Sequence, residues 1–311
     1  MPSASRAGSA TLACCASFSA VIGGIDLGGT QVRFAVARSD GRITVTEKAR
    51  TRELGGPRGL AEWAGQAADR LGVGHKLKSV AIGAPGPIDH RRGVLVNPPN
   101  LPGWRNVALT ELLARSLGCP VYLENDAQLA GLGEFHQGAG RGTRNLVYIT
   151  WSTGVGGGLI LDGKLYSGTH GTAGEIGHMV MDPNGPLDGC GQRGCLEAFA
   201  GGNMLSKQTG HSAAELFRDA AEGDQEARMI VGRAARYMGY ALINLTNLID
   251  AEMIVVGGGV ARSWSLVQPI MVEVLRSSPF IKPARRPKLR RARLGDRAGQ
   301  VGAVEWARAQ L

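Results

Sequence analysis

The stretch VIGGIDLGGTQVRFAVAR, residues 21–38, decides the architecture. Apolar and β-branched residues fill both of its ends, and its centre, Asp26-Leu27-Gly28-Gly29-Thr30, is a glycine turn. Strands at 21–26 and 31–38 therefore form a hairpin, and 42–47 continues as a third strand of an antiparallel meander. Paired glycines allow φ > 0 and bring backbone N–H groups to an anion with no Cβ in the way. The Thr30 hydroxyl adds a donor, and Asp26, at a strand end, is placed to hold Mg2+ through water. A Gly-Gly hairpin is also a common structural turn, so this stretch alone leaves both readings open.

The arrangement returns in the second half of the chain. Thr153-Gly154-Val155-Gly156-Gly157-Gly158 joins strands at 145–151 and 157–161, with a third at 163–167. Two such hairpins point to an internal duplication of two related lobes, with a phosphate-facing cleft between them. A third cluster, Gly257-Gly258-Gly259, directly follows a buried strand at 253–256, where backbone can approach a flat ring. No Gly-x4-Gly-Lys-Ser/Thr pattern occurs, and a strand rather than a helix follows Gly158. The P-loop and the dinucleotide fingerprint are excluded.

Between and after the hairpins, helices are expected at 57–71, 109–117 and 126–135, and strands at 79–82 and 121–123. A loop rich in Gly, Pro and Asn runs on to Trp104. Residues 224–249 carry apolar side chains at i, i+3, i+4, i+7 and form one long amphipathic helix. The helices between Glu197 and that point are short, punctuated by Gly210 and Gly223. A strand at 288–294 and a helix from 298 close the chain.

With 311 residues the chain exceeds one ordinary core and suggests two domains. Lys+Arg 35 against Asp+Glu 26 gives +9, which raises a nucleic-acid reading. Much of that charge sits at 282–293, however, where a solvated face or a charged edge strand is the favoured explanation. Aromatics at 5% argue against a single-strand stacking surface, and no apolar run spans a membrane. Five cysteines without framework spacing indicate a reducing, cytoplasmic setting. Residues 1–20, rich in Ser and Ala, read as a disordered extension in preference to a signal peptide, having one basic residue and no long apolar centre.

Two further segments carry chemistry. Glu124-Asn125-Asp126-Ala127 stands where a strand ends and a helix begins: Asn125 or Asp126 caps the helix, or Asp126 accepts the proton of a hydroxyl attacking phosphorus. Glu175-Ile176-Gly177-His178 precedes Asp188-Gly189-Cys190-Gly191-Gln192-Arg193-Gly194-Cys195-Leu196-Glu197. His178, Asp188, Cys190 and Cys195 would make four metal ligands in a glycine-rich knuckle, the alternative being two buried thiols and a surface loop.

These motifs, together with Gly83-Ala84-Pro85-Gly86-Pro87 and Val256-Gly257-Gly258-Gly259, fall in the order found in the ROK family of sugar kinases and sugar-responsive repressors, which the chain resembles from about Val21 to its C-terminus. The resemblance implies the α/β actin-like ATPase (ribonuclease H-like) fold, two lobes around a cleft. The small lobe would be 21–124, completed by the helix 298–311, and the large lobe 125–297 would carry the knuckle. By position, Asp126 corresponds to the catalytic base, and Asn100, Asn125, Glu175, His178 and Glu197 to ligands of the sugar hydroxyls. The 83–87 loop helps wall the sugar pocket. Asp26, Gly28, Gly29, Thr30, Thr153 and Gly154 would face the phosphates, and Gly257 and Gly258 the adenosine of ATP.

The family holds zinc with the histidine and three cysteines, whereas here Asp188 stands where the first cysteine is expected. A carboxylate is an acceptable zinc ligand of lower affinity. The resemblance further implies a homodimer and a hexose substrate: glucose first, with N-acetylglucosamine, N-acetylmannosamine or fructose as alternatives. Polyphosphate is an alternative donor. A repressor needs a helix-turn-helix region, which the roughly twenty residues before the first strand are too few to hold. The expectation is a kinase that binds no nucleic acid and no membrane.

Overall fold

The computed structural model describes residues 21–311. The extension expected at 1–20, and its signal-peptide alternative, lie outside the described residues. The first hairpin forms as β1 (Val21–Leu27) and β2 (Gln31–Arg38), and β3 is Ile43–Arg50. Then come α1 (Pro57–Arg70), β4 (Leu77–Ala84), the short strands β5 (Ile88–Asp89), β6 (Val94–Leu95) and β7 (Val107–Ala108), α2 (Leu109–Leu117), β8 (Val121–Asn125) and α3 (Asp126–Gln137). The second half repeats the start: β9 (Leu146–Trp151), β10 (Val155–Leu161) and β11 (Lys164–Leu165). Four helices follow, α4 (Leu196–Ala200), α5 (Gly202–Thr209), α6 (Ala213–Glu222) and α7 (Gln225–Ile249). The chain ends in β12 (Met253–Gly257), α8 (Trp264–Ser277), β13 (Lys288–Arg291) and α9 (Ala298–Arg308).

The two large sheets have the same order and sense. The first runs β3-β2-β1-β4-β8 and the second β11-β10-β9-β12-β13. In each, the hairpin strands are antiparallel and the two later strands are parallel to the first. This is the actin-like ATPase fold, and the shared topology is a far stronger sign of duplication than two glycine motifs. Strand ends depart from expectation by a few residues: β3 extends to Arg50 because Gln31 pairs with it, and β11 shrinks to two residues. The stretch up to Trp104, expected as loop, contains β5 and β6, which with β7 just beyond it form a three-stranded sheet. Strands of two residues are too short to show alternation. The basic stretch contributes β13, an edge strand with exposed Lys288, Arg290 and Arg291.

Helices α3 and α9 sit between the two sheets. Leu129 and Leu132 of α3 pack with Ala303, Val304 and Ala307 of α9 against Ile22, Ala35 and Ala81 of the first sheet. Ala130 and Phe135, from the same α3, pack against Leu146, Tyr148, Ile160 and Val255 of the second. The helices cross in backbone contact, since a Cβ at Gly302 would strike Leu129 O and one at Gly133 would strike Ala298 O. The outer faces are covered by α1 and α2 on the first sheet and by α7 and α8 on the second. Asp126, the first residue of α3, is thereby carried to the junction of the two halves.

Candidate active site

Both glycine turns are tied down from elsewhere in the chain. Thr51 Oγ donates to Gly28 O at 2.7 Å and Thr51 N to Thr30 O at 3.0 Å. The matching turn is held by the start of α5, where Gly202 N donates to Ser152 O at 2.9 Å and Asn203 N to Thr153 O at 2.7 Å. The expectation of φ > 0 is corrected here: among the turn glycines and the strand-end cluster only Gly258, at φ 81°, takes the left-handed region. Several of the others are required by crowding. A Cβ at Gly154 would strike the Glu197 carboxylate, one at Gly29 would stand 2.7 Å from Asn100 O, and one at Gly257 would meet the Tyr148 hydroxyl.

A cavity of about 850 Å³ lies between the halves, lined by Asp26 and Arg33, by Asp126 and Ala127, and by Tyr148, Thr150, Ser152 and Gly257–Gly259. Gly28, Gly29, Thr30, Thr153 and Gly154 are not among its lining residues, and Gly29 borders a separate cavity of about 550 Å³ with Asn100. Asp26 pairs with Arg33 across the hairpin, Nη1 to Oδ2 at 3.2 Å. Burial pushes the Asp26 carboxyl up, and Arg33 opposes it.

At the head of α3 the capping reading of the acidic motif holds, and it falls to Asn125. Asn125 is the N-cap, its Oδ1 accepting from Ala127 N at 2.9 Å and Gln128 N at 3.2 Å. Asp126 Oδ1 accepts from Ala127 N at 2.8 Å. Burial, followed by the charge of Asp26 and, more weakly, that of Glu175, pushes the Asp126 carboxyl up to about 6. A carboxylate so placed is a stronger base than an exposed one and is still ionised at neutral pH.

Glu175 and His178 lie within electrostatic reach of Glu197, and Glu175 also within reach of Asp126. Glu175 opens a single helical turn through His178, and both are exposed. Glu197, in the first turn of α4, accepts Val155 N at 2.7 Å and so braces the second glycine turn. Burial raises its carboxyl most, the Val155 bond and the charge of His178 lower it, and the charges of Asp188 and Glu175 add to the rise. Asn125 Nδ2 faces the 83–87 loop, 3.7 Å from where a Gly86 Cβ would stand. Asn100 is exposed on its loop.

The knuckle residues also come together: one ligand atom from each of His178, Asp188, Cys190 and Cys195 lies within 4.8 Å of the others. The Cys190 and Cys195 sulfurs are 3.8 Å apart, and His178 Nδ1 is 3.3 Å from Asp188 Oδ2. Thiolates about 2.3 Å from a tetrahedral zinc stand about 3.8 Å apart, and nitrogen and oxygen ligands at about 2.1 Å stand about 3.4 Å apart. Asp188 Oδ1 is buried without a hydrogen-bond partner. Burial works to raise that carboxyl, but hydrogen bonds from Cys190 and Gly189 and the charge of His178 outweigh it and hold it low. The donor set fits a zinc ion.

Some residues of the site had no local signal. Arg33 becomes visible once the hairpin register is known, but Tyr148 does not. Glu134, two turns along α3 and fully buried, accepts Arg293 N at 3.0 Å and Leu294 N at 2.7 Å, and Ala139 N at 2.7 Å. It fixes the segment whose continuation walls the large cavity.

The family model described as ROK family matches residues 22–310. The chain belongs to the ROK family. It is a sugar kinase, and its relatives agree. It is 35% identical to the glucokinase of Streptomyces coelicolor over 92% of this chain and 96% of that one. It is 33% identical to the N-acetylmannosamine kinase of Yersinia pseudotuberculosis over 92% and 98%. Among solved structures, the ROK hexokinase of Thermus thermophilus superposes with a TM-score of 0.82 at 38% identity, over 93% of this chain and 98% of that one. The Streptomyces griseus ROK glucokinase in complex with glucose and AMPPNP gives 0.76 at 32%, over 93% and 99%. No helix among the described residues is long and apolar enough to cross a membrane.

Proposed function

We propose that this kinase transfers the γ-phosphoryl group of ATP to the 6-hydroxyl of glucose, with Asp126 as general base. The observation that carries the reading is the Asp126 carboxyl: at the head of the inter-sheet helix, raised to about 6, on the wall of a nucleotide-sized cavity and within electrostatic reach of Glu175. The glucokinase relative and the glucose and AMPPNP complex of the Streptomyces griseus enzyme support both substrates.

Glucose hydroxyls bond to Asn100, Asn125, Glu175, His178 and Glu197, which orients the 6-hydroxyl toward Asp126. Asp126 takes its proton as the oxygen attacks the γ-phosphorus in line. Backbone N–H groups of the turns at Gly28, Gly29, Thr30, Thr153 and Gly154 stabilise the phosphates, and Gly257 and Gly258 admit the adenosine. Asp26, a carboxylate on the cavity wall within electrostatic reach of Asp126, would hold Mg2+ through water. When bound, that ion offsets charge on the transferring group. Zinc is proposed at His178, Asp188, Cys190 and Cys195, where it would anchor the loops bearing His178 and Glu197. A homodimer would draw on the outer face of α7, where Met229, Tyr240 and Leu248 are exposed.

N-acetylmannosamine is the second reading, favoured by the Yersinia relative. Turnover with a panel of hexoses at saturating ATP separates the two. In the same assay Asp126→Asn is expected to lose about 100-fold or more in kcat while sugar binding changes much less. Turnover near that of the unmodified enzyme removes Asp126 from the role.

A further inference from the structure

Glu124 immediately precedes Asn125 and Asp126 and is 2% exposed. Its Oε1 accepts Asn125 N at 2.8 Å and faces His90 Nδ1 at 3.3 Å, while its Oε2 accepts the Ser167 hydroxyl at 3.0 Å. His90 follows β5 in the first half of the chain, and its Nε2 stands 3.1 Å from Gly171 O in the second half. A carbonyl only accepts, so Nε2 carries a proton. The Nδ1 to carboxyl contact on the other side of the ring is a close polar contact to a buried carboxyl. Burial pushes the Glu124 carboxyl up, and the charge of His90 is the main opposing influence.

The bridge ends on the loop that delivers Glu175. Gln128 Nε2, from α3, donates to Gly171 O at 3.2 Å and to Ala173 O at 3.1 Å. Gly171 has φ 76°, and a Cβ there would strike the His90 ring. His90, Glu124, Ser167 and Gly171 line a cavity of about 750 Å³. Ala173 N returns to Ser167 O at 3.0 Å, and Ile176 N bonds Gly174 O at 2.7 Å, which leaves little slack before Glu175.

We propose that His90 is a positioning residue for the sugar side of the site: by joining Glu124 to Gly171 O it sets the 167–175 loop, and with it Glu175, against Asp126. The proposal rests on the reading of Glu175 as a sugar ligand. A hydroxyl ligand contributes to ground and transition states alike, so its displacement raises KM for the sugar with little change in kcat.

The test is steady-state kinetics of the full chain with glucose and ATP varied independently. His90→Ala is expected to raise the glucose KM about tenfold, the cost of about one net hydrogen bond, with kcat and the ATP KM within about threefold. His90→Gln, which keeps bulk and an amide donor, is expected to lose less. A general loss of folding would lower the active fraction and hence apparent kcat, leaving both KM values alone. A glucose KM within about twofold of the parent, or equal losses for glucose and ATP, overturns the proposal. Should His90→Ala yield no soluble protein, His90→Gln decides by the same selectivity. Glu175→Gln separates the two ideas: if it leaves the glucose KM unchanged, the underlying ligand reading fails. If it raises that KM and His90→Ala does not, only the bridge fails.

Discussion

A carboxyl raised to about 6 should leave its mark on the acid limb of the rate profile. The base must be ionised to accept the hydroxyl proton, so kcat/KM for the sugar falls as pH drops through the pKa of Asp126. At pH 7.5 about 97% of such a group is ionised and at pH 5.0 about 9%, a loss of about tenfold; at the ordinary value of 3.8 the loss would be about 6%. Charge provides a second handle. Asp26 is the largest electrostatic contributor to the rise after burial, so Asp26→Asn should move the limb to lower pH, whatever it does to the absolute rate. ADP release followed by chromatography, in a mixed buffer of constant ionic strength with saturating ATP, measures both without a coupling enzyme. Burial raises Glu197 as well, so the profile of Glu197→Gln must keep the limb near 6 if Asp126 is its source. An acid limb below about 4.5, or one that Asp26→Asn leaves in place, would refute the assignment.

Three further outcomes follow from the same geometry. Ionised Asp126 opposes folding, a penalty absent below its unfolded pKa and complete above about 6, so Asp126→Asn should melt higher than the parent at pH 7.5 and equally at pH 3.5 in calorimetry. Protein prepared without chelator should contain about one zinc per chain by elemental analysis, and Asp188→Ala should lose it, because that residue supplies one of four ligands. Gly154→Ala forces its Cβ onto the Glu197 carboxylate, breaking the bond to Val155 N; kcat/KM for glucose should drop about tenfold or more with a Tm lower by several degrees.

Period and turn chemistry act over a few neighbouring residues, and what they govern was readable along the chain. That holds for the two glycine hairpins, the long helix from Gln225 to Ile249 and the charged edge near Lys288. It holds too for the order of motifs that marks the ROK family. What lay beyond reach depends on which distant segments meet. The sandwich of α3 and α9 is made by Gly133 and Gly302, glycines with no local mark of their role. Glu134 finds its partners at Arg293 and Leu294, and Glu124 finds His90 and Ser167. The turn glycines show the division most plainly. Their position was evident from sequence, but their purpose was misread as φ > 0, because the side chains and backbone that exclude a Cβ there arrive from Asn100, Glu197 and Tyr148. A local pattern specifies how the backbone bends; the space left beside it exists only after the sheets and helices have closed around it.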